Sequence, residues 1–209
     1  MEKEKQDGIM SIIERMKKIE YIKPGEVPNI DLYMDQVTTF MDKHLESTRR
    51  YSEDKLLTKT MINNYTKNAL LPSPNKKKYT KDHMYLLIFI YYLKNILSIS
   101  DIQKVLNPLT EHFFADAGTV ELEEIYQEIF RMENEQAAAV MKDVVKKYQE
   151  SKKSFEKLKN NEEKELLRRF ALISMLSFDV YMKKQLIEAL IDEADEKANP
   201  SKKEGKRPE

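Results

Sequence analysis

Apolar side chains recur at intervals of three and four residues along most of the chain, which places them on one face of an α-helix. This spacing predicts a helix over residues 9–19, a second that starts at a cap on Asn29 or Asp31 and ends near Leu45, and a third over 58–67. Further helices are predicted after Thr80 and Ser98, because both side chains can cap a helix N-terminus. We therefore expect an all-α fold.

The second half of the chain carries two longer helical patterns. The first covers residues 120–158 and has one apolar stripe, while the second covers 162–191 and is apolar around most of its circumference. We expect the second helix to be buried on most sides. The stripe can pack on this helix as a hairpin or form a seam with another chain. We favour the hairpin because Gln136 interrupts the stripe, and we expect a homodimer through its exposed remainder.

Breaks in the pattern suggest how the chain is divided. Pro108 and Gly118 bracket a predicted boundary, because neither residue favours a continuing helix. Residues 1–107 would form a helix-turn-helix domain with an N-terminal helical arm. Residues 108–193 would form a helical hairpin for dimerisation or effector binding, and the polar residues 194–209 would be a disordered tail.

Charge is distributed unevenly, although the chain is neutral in total. Residues 43–83 hold ten Lys/Arg and four Asp/Glu, and residues 110–165 hold nine and fourteen. This asymmetry suggests an anionic partner for the first segment, although on charge alone we favour a solvated helical surface. The charged N-terminus has no signal sequence and the apolar runs are too short to span a bilayer. We therefore expect a cytoplasmic protein with no membrane partner.

Motifs for catalysis, cofactors and metals are absent from the sequence. Cysteine does not occur, which excludes thiolate metal sites, and His44, His83 and His112 lie far apart. Residues 26–117 contain no glycine, so a phosphate-binding glycine loop cannot occur there. We expect no enzyme activity, no cofactor and no metal.

The predicted helix over 58–67 has two chemically different faces. On a helical wheel the apolar side chains are Leu57, Met61, Ile62 and Tyr65, and the polar ones are Thr60, Asn63, Asn64 and Lys67. Asparagine can bond adenine through two atoms, threonine can contact base edges, and Lys59 and Lys67 can reach phosphates. The run Lys76, Lys77 and Lys78 would contact the adjacent DNA backbone or minor groove. Most polar helix faces are merely solvated, so this pattern alone identifies no interface.

Residues 61–72 read MINNYTKNALLP and resemble the recognition helix and turn of the MerR family of winged helix-turn-helix regulators. That segment typically reads Leu-Arg-Tyr-Tyr-Glu-x-x-Gly-Leu-Leu in the family. Residues 77–79 are similar to the sequence that ends the family's wing. Residues 80–90 are similar to the helix that follows the wing, and residues 98–102 are similar to the sequence element that follows this helix. The whole chain also resembles an uncharacterised bacterial family with a MerR-like domain of unknown function.

The resemblance implies a transcription regulator that binds double-stranded DNA as a homodimer, with an effector that stays unknown. It also implies DNA contacts by Tyr65, Lys77 and Tyr79. Asn63 stands where the family has an arginine, so one expected phosphate contact is missing, and Ala69 replaces the turn glycine. The alternative is therefore a protein-interaction module built on a winged-helix fold.

Overall fold

The computed structural model describes residues 2–17, 19 and 21–198, and over these residues the chain is mainly helical, as predicted. The α-helices of the described residues are α1 (Glu2–Met16), α2 (Met34–His44), α3 (Lys59–Lys67), α4 (Lys81–Leu93), α5 (Ile99–Phe113), α6 (Leu122–Lys152) and α7 (Asn161–Ala198). The pattern did not predict the two short strands, β1 (Leu32–Tyr33) and β2 (Lys78–Tyr79), which pair antiparallel.

The chain divides into two compact units. The central unit is Lys18–Met132, and the terminal unit combines Met1–Lys17 with Glu133–Glu209. The boundary lies inside α6, between residues 132 and 133, and not at the predicted 107/108, where α5 continues through Pro108 to Phe113. The missing N–H of Pro108 costs one helical hydrogen bond, but Ile102 and Leu106 on the same helix are buried and hold it in place.

Helix α4 forms the centre of the central unit. It is apolar on nearly every side and is enclosed, as a helix without a polar face must be. Its fully buried side chains are Met84, Tyr85, Leu86, Leu87, Ile88 and Ile90. Tyr126 of α6 packs against Tyr85 with ring centroids 4.9 Å apart, and its hydroxyl donates a hydrogen bond to the Ile22 carbonyl. The core therefore joins α4 to α6 and to the segment before β1.

Three predicted helix starts, at Thr58, Thr80 and Ser98, are confirmed, and Thr58 and Ser98 also make the predicted side-chain cap. The Thr58 hydroxyl accepts from the Met61 N–H at 3.1 Å, and the Ser98 hydroxyl accepts from the Asp101 N–H at 3.2 Å. At the start of α4, the Thr80 N–H donates to Nδ1 of His83 at 3.0 Å. Each bond satisfies a backbone or side-chain group that a helix terminus otherwise leaves open.

Other predicted helix bounds were wrong. Helix α2 begins at Met34 rather than near Asn29 or Asp31, because the two preceding residues are extended and pair with β2. Helix α6 ends at Lys152, well before residue 158. Helix α7 continues to Ala198, so the predicted disordered tail begins inside a helix; residues 199–209 lie outside the described part.

The terminal unit is built from α1, the second part of α6, and α7. Its buried core consists of Ile13, Tyr148 and Leu172, one from each helix. Side chains packed against this core are Ile9, Met141, Val144, Val145, Met175 and Leu176. An ion pair at 2.8 Å between Nζ of Lys147 and Asp179 also joins α6 to α7.

Helix α7 is much more exposed than the sequence pattern predicted. Of its described residues, only Leu172 and Ile191 are buried, while Phe170 and Val180 are 64% and 60% exposed. The prediction of a helix buried on most sides was wrong, because apolar residues occur on two faces of α7 and α1 and α6 cover only one. Separately, no helix within residues 2–198 combines the length and the apolar character needed to cross a bilayer.

Candidate nucleic-acid interface

Helix α3 presents one polar face to solvent and buries the other. Ile62 and Tyr65 are 0% and 8% exposed, and Leu57 before the helix is also buried. The exposed side chains are Lys59, Thr60, Asn63, Asn64 and Lys67. This agrees with the two faces that the helical wheel predicted. The polar side chains are therefore available to a ligand, while the apolar ones fix the helix to the central unit.

The end of α3 is fixed by a left-handed residue and two carbonyl contacts. The left-handed position is Ala69 (φ 55°), the residue that follows the C-cap Asn68. The carbonyl of Tyr65 accepts from the N–H groups of Leu70 and Leu71 at 2.8 and 3.2 Å. Both leucines are buried, so the turn after α3 is anchored in the core and holds the helix at its C-terminal end.

The predicted lysine loop is a tight hairpin turn, which we call the lysine turn (residues 75–78). The Lys78 N–H donates to the Asn75 carbonyl at 2.9 Å, and these two residues form an isolated bridge. The central residues, Lys76 and Lys77, both have positive φ, at 48° and 64°. Positive φ at both central positions is the mark of a type I′ turn, which normally uses Asn-Gly. Two exposed lysines here are strained, at about 1–2 kcal/mol per left-handed residue.

The strand pairing determines which side chains of the hairpin face outward. Leu32 pairs with Tyr79, and Tyr33 pairs with Lys78. Leu32 and Tyr79 are buried, whereas Tyr33 is 54% exposed. Nζ of Lys78 lies 5.6 Å from the centroid of the Tyr33 ring, within range of a cation–π contact. The outward side of the hairpin therefore carries an aromatic ring and a cation next to the lysine turn.

The first turn of α2 connects this hairpin to α3. Helix α2 follows β1 directly and contacts both α3 and β2. The carboxylate of Asp35 forms an ion pair with Nζ of Lys59, and both side chains are more than half exposed. An exposed pair of this kind contributes about 0–1 kcal/mol, so a phosphate can replace the carboxylate. The start of α3 and the lysine-bearing hairpin thus flank one helix N-terminus.

Two predicted contact residues are buried. Tyr65 and Tyr79 are 8% and 3% exposed, and burial raises the pKa of both phenols, which stay protonated at neutral pH. The Tyr79 ring meets His83 edge-on at 5.5 Å, so it holds β2 against the start of α4. Burial closes both tyrosines to a ligand, so the exposed candidates are the remaining predicted residues.

Residues 22–129 match the family model described as a domain of unknown function, DUF1836. The chain belongs to the DUF1836 family. No match was found among curated proteins or among solved structures. The predicted likeness to a domain of unknown function is confirmed, and the likeness to MerR regulators stays a prediction. The matched DUF1836 region includes both α3 and the lysine turn, whereas α7 lies outside it.

The DUF1836 domain holds further cations that the sequence analysis counted only as net charge. Arg49 and Arg50 lie in the loop between α2 and α3; Nη2 of Arg49 is 3.1 Å from Asp42, and Arg50 lies over the Tyr51 ring at 5.2 Å. An open depression of about 370 Å³ beside this loop has both basic and acidic walls, so it does not favour an anionic small molecule. The basic excess over 43–83 was the signal that could have drawn attention to these arginines.

The three histidines of the DUF1836 domain have local structural contacts. Nδ1 of His83 accepts from the Thr80 N–H at the start of α4, Nδ1 of His44 lies 3.6 Å from Glu26, and Nδ1 of His112 lies 2.8 Å from the Pro108 carbonyl. Within the described residues, no group of three or more His, Cys, Asp or Glu side chains is arranged to hold a metal ion.

Proposed function

We propose that this DUF1836 domain binds double-stranded DNA as a transcription regulator, with α3 in the major groove and the lysine turn on the neighbouring backbone. The observation that carries the proposal is the exposed row of Thr60, Asn63, Asn64 and Lys67 on a helix whose other face is buried. These side chains can bond base edges and phosphates, which is the chemistry of a recognition helix.

The order of elements supports a winged helix-turn-helix of the MerR type. Strand β1 precedes α2 and α3, and β2 follows them and pairs back onto β1. Helix α2 would then be the first helix of the motif, α3 the recognition helix, and the β1–β2 hairpin with its lysine turn the wing. In this proposal the protein acts as a homodimer, because a twofold dimer presents two recognition helices to two half-sites.

The expected free energy of DNA binding has two sources, contacts to base edges and contacts to the phosphate backbone. A bidentate contact from Asn63 or Asn64 to adenine would contribute about 1–3 kcal/mol of discrimination against other bases. The exposed or half-buried lysines 59, 67, 76, 77 and 78 would contact phosphates. Each phosphate contact adds about 0.9 to the slope of log affinity against log salt. Affinity should therefore depend steeply on salt, while sequence preference should depend on α3.

A binding assay with a matched charge control tests the proposal. Fluorescence anisotropy against a pool of genomic fragments, at low and high salt, would compare the chain with K76E/K77E/K78E. The control K153E/K157E/K159E makes the same charge change at exposed residues between α6 and α7. We expect the first variant to lose binding and the control to keep it. Failure of the unmodified chain to bind even at low salt would remove the proposal.

A protein-interaction module is the second candidate. It is favoured by the Asp35 carboxylate at Lys59 and by Asn63, where the MerR resemblance expects an arginine. In that case K76E/K77E/K78E would leave binding to a protein partner through the terminal helices unchanged. The same variant therefore separates the two candidates.

A further inference from the structure

His83 at the start of α4 is buried behind the lysine turn, and the proposed DNA contacts do not use it. Its side chain is 2% exposed and lies four residues after the end of β2. Chain segments on both sides of the lysine turn reach its ring: Thr80 after the turn, and the backbone of Ser73 and Pro72 before it. We call these four residues the loop base, because the loop between them carries the three lysines of the turn.

The hydrogen bonds of His83 determine where its proton lies. A backbone N–H can only donate, so Nδ1 must accept from the Thr80 N–H at 3.0 Å and carries no proton. The Thr80 hydroxyl lies 2.8 Å from the same nitrogen and can also donate to it. The proton of the neutral ring is therefore on Nε2. A second proton, on Nδ1, would turn this acceptor into a donor and break the bond to the Thr80 N–H.

Two aromatic rings enclose the imidazole of His83. The rings of Tyr79 and Phe114 meet it edge-on, with centroids 5.5 and 4.8 Å away. Nε2 is buried, and among the described residues it has no partner in good hydrogen-bonding geometry. The neutral ring fits such surroundings, whereas an imidazolium would lose its hydration without gaining a full set of acceptors. The loop base is therefore complementary to the neutral form of His83.

The groups that face the ring from other segments do not reverse this preference. Burial lowers the pKa of His83 below its ordinary value of 6.5. The backbone of Ser73 and Pro72 and the Asp31 carboxylate act in the opposite direction, but their effect is smaller. On β2, burial raises the pKa of the Tyr79 phenol, which stays neutral. The ring is therefore neutral at pH 7.

The charged side chains next to His83 on α4 are bonded to other elements. Nζ of Lys81 lies 2.6 Å from the Glu123 carboxylate at the start of α6. The Asp82 carboxylate accepts from the Ala115 N–H at 2.8 Å. Each of these charges has a partner of its own, so the contacts of the ring itself determine which form of His83 fits the loop base.

The sign of the pH dependence follows from the lowered pKa of His83. In an opened loop base this pKa returns toward 6.5, so opening is coupled to the uptake of one proton. The closed form is fully favoured above about pH 6.5 and loses stability as pH falls below that value. Because one proton is taken up, the opening equilibrium should rise by up to about tenfold per pH unit.

We infer that His83 is a positioning residue for the lysine turn: its neutral ring closes the loop base and fixes the three lysines, and a proton on Nδ1 releases them. The effect on DNA rests on the proposed function. A histidine in contact with phosphate would strengthen DNA binding when it gains a proton. His83 has the opposite effect, because a released loop must be ordered again before its lysines bind phosphates, which costs conformational entropy.

Amide hydrogen exchange of the full chain without DNA tests the closure of the loop base. NMR at about pH 7.5 and about pH 5.5, corrected for the intrinsic exchange rate, gives the protection factor of each N–H. We expect the protection factor of the Thr80 N–H to fall by up to about tenfold per pH unit below pH 6.5. The matched control is the Met61 N–H, which is bonded to the Thr58 hydroxyl without a histidine and should keep its protection factor.

The variant H83Q keeps an acceptor for the Thr80 N–H but does not titrate, so its Thr80 protection factor should not depend on pH. A Thr80 protection factor that does not change in the unmodified chain would overturn the inference. An equal fall at Met61, or the same fall in H83Q, would also overturn it. The pH series on the unmodified chain needs no substitution, so the test remains if H83Q fails to fold.

Anisotropy titrations with genomic DNA fragments at the same two pH values test the effect on DNA binding. We expect the unmodified chain to lose affinity several-fold on acidification and H83Q to keep its affinity. The slope of log affinity against log salt should become shallower by up to about 2.7 if all three lysines lose their phosphates. An affinity that rises on acidification, or falls equally in H83Q, would overturn the role of His83 in DNA binding. A chain that binds no DNA at either pH would remove the proposed function, while the exchange measurement would still decide whether His83 closes the loop base.

Discussion

The strained lysine turn allows stability and DNA binding to be tested in one variant. Lys76 and Lys77 both adopt left-handed backbone angles that asparagine and glycine accept more easily. The variant K76N/K77G would supply the Asn-Gly pair that a type I′ turn prefers. It removes about 1–2 kcal/mol of strain at each position, partly offset by about 0.5–1 kcal/mol of added freedom of glycine in the unfolded chain.

The net expectation is a stabilisation of about 1–3 kcal/mol, which corresponds to a rise in Tm of about 2–12 °C. Urea unfolding followed by circular dichroism would measure the free energy. At the same time the variant loses two cations, so the slope of log affinity against log salt should fall by about 1.8 if both contact phosphates. The more stable protein would therefore be the weaker DNA binder.

The control K76A/K77A separates the two effects. Alanine removes the same charges but keeps a Cβ at both left-handed positions, so the strain remains. It should show the same loss of salt dependence without the stabilisation. An unchanged or lower stability for K76N/K77G would refute the turn geometry, and an unchanged salt slope would refute the phosphate contacts.

Four further variants test other parts of the structure. T58A removes the cap that accepts from the Met61 N–H and should cost about 1 kcal/mol in urea unfolding; a loss below 0.3 kcal/mol would contradict the cap. I62A opens a cavity under α3 and should lower the free energy of unfolding by about 2–5 kcal/mol. N63A should leave the free energy of unfolding unchanged. In anisotropy titrations it should weaken binding to an adenine-containing site by about 1–3 kcal/mol. Burial lowers the pKa of His83, so the folded state resists its protonation, and the unfolding free energy should fall as pH drops below 6.5. H83Q keeps an acceptor for the Thr80 N–H and should abolish that fall; an identical pH profile for H83Q would refute the assignment.

Helix α3 could be predicted from sequence because its signals are local. The Thr58 cap, the wheel position of Ile62 and the stop after Lys67 all lie within one short segment. The same is true of the Thr80 and Ser98 caps. Each of these features depends on neighbours within four residues, which sequence spacing describes directly.

The features that the sequence analysis missed depend on distant contacts. Strand β1 has two residues, too few for any period, and it exists because Leu32 pairs with Tyr79. The exposure of α7 was missed for a related reason: periodicity counts apolar residues such as Phe170 but does not reveal whether another helix covers them. The burial of Tyr65 and Tyr79 likewise depends on residues that are distant in sequence, so spacing alone does not predict it.

The ion pair between Asp35 and Lys59 gives the proposed DNA surface an internal competitor. Any phosphate that reaches Lys59 must displace a carboxylate already held there by the first turn of α2. In the proposed complex, a phosphate contact from Lys59 therefore contributes less than one from an unpaired lysine, by at most the about 0–1 kcal/mol that an exposed ion pair contributes.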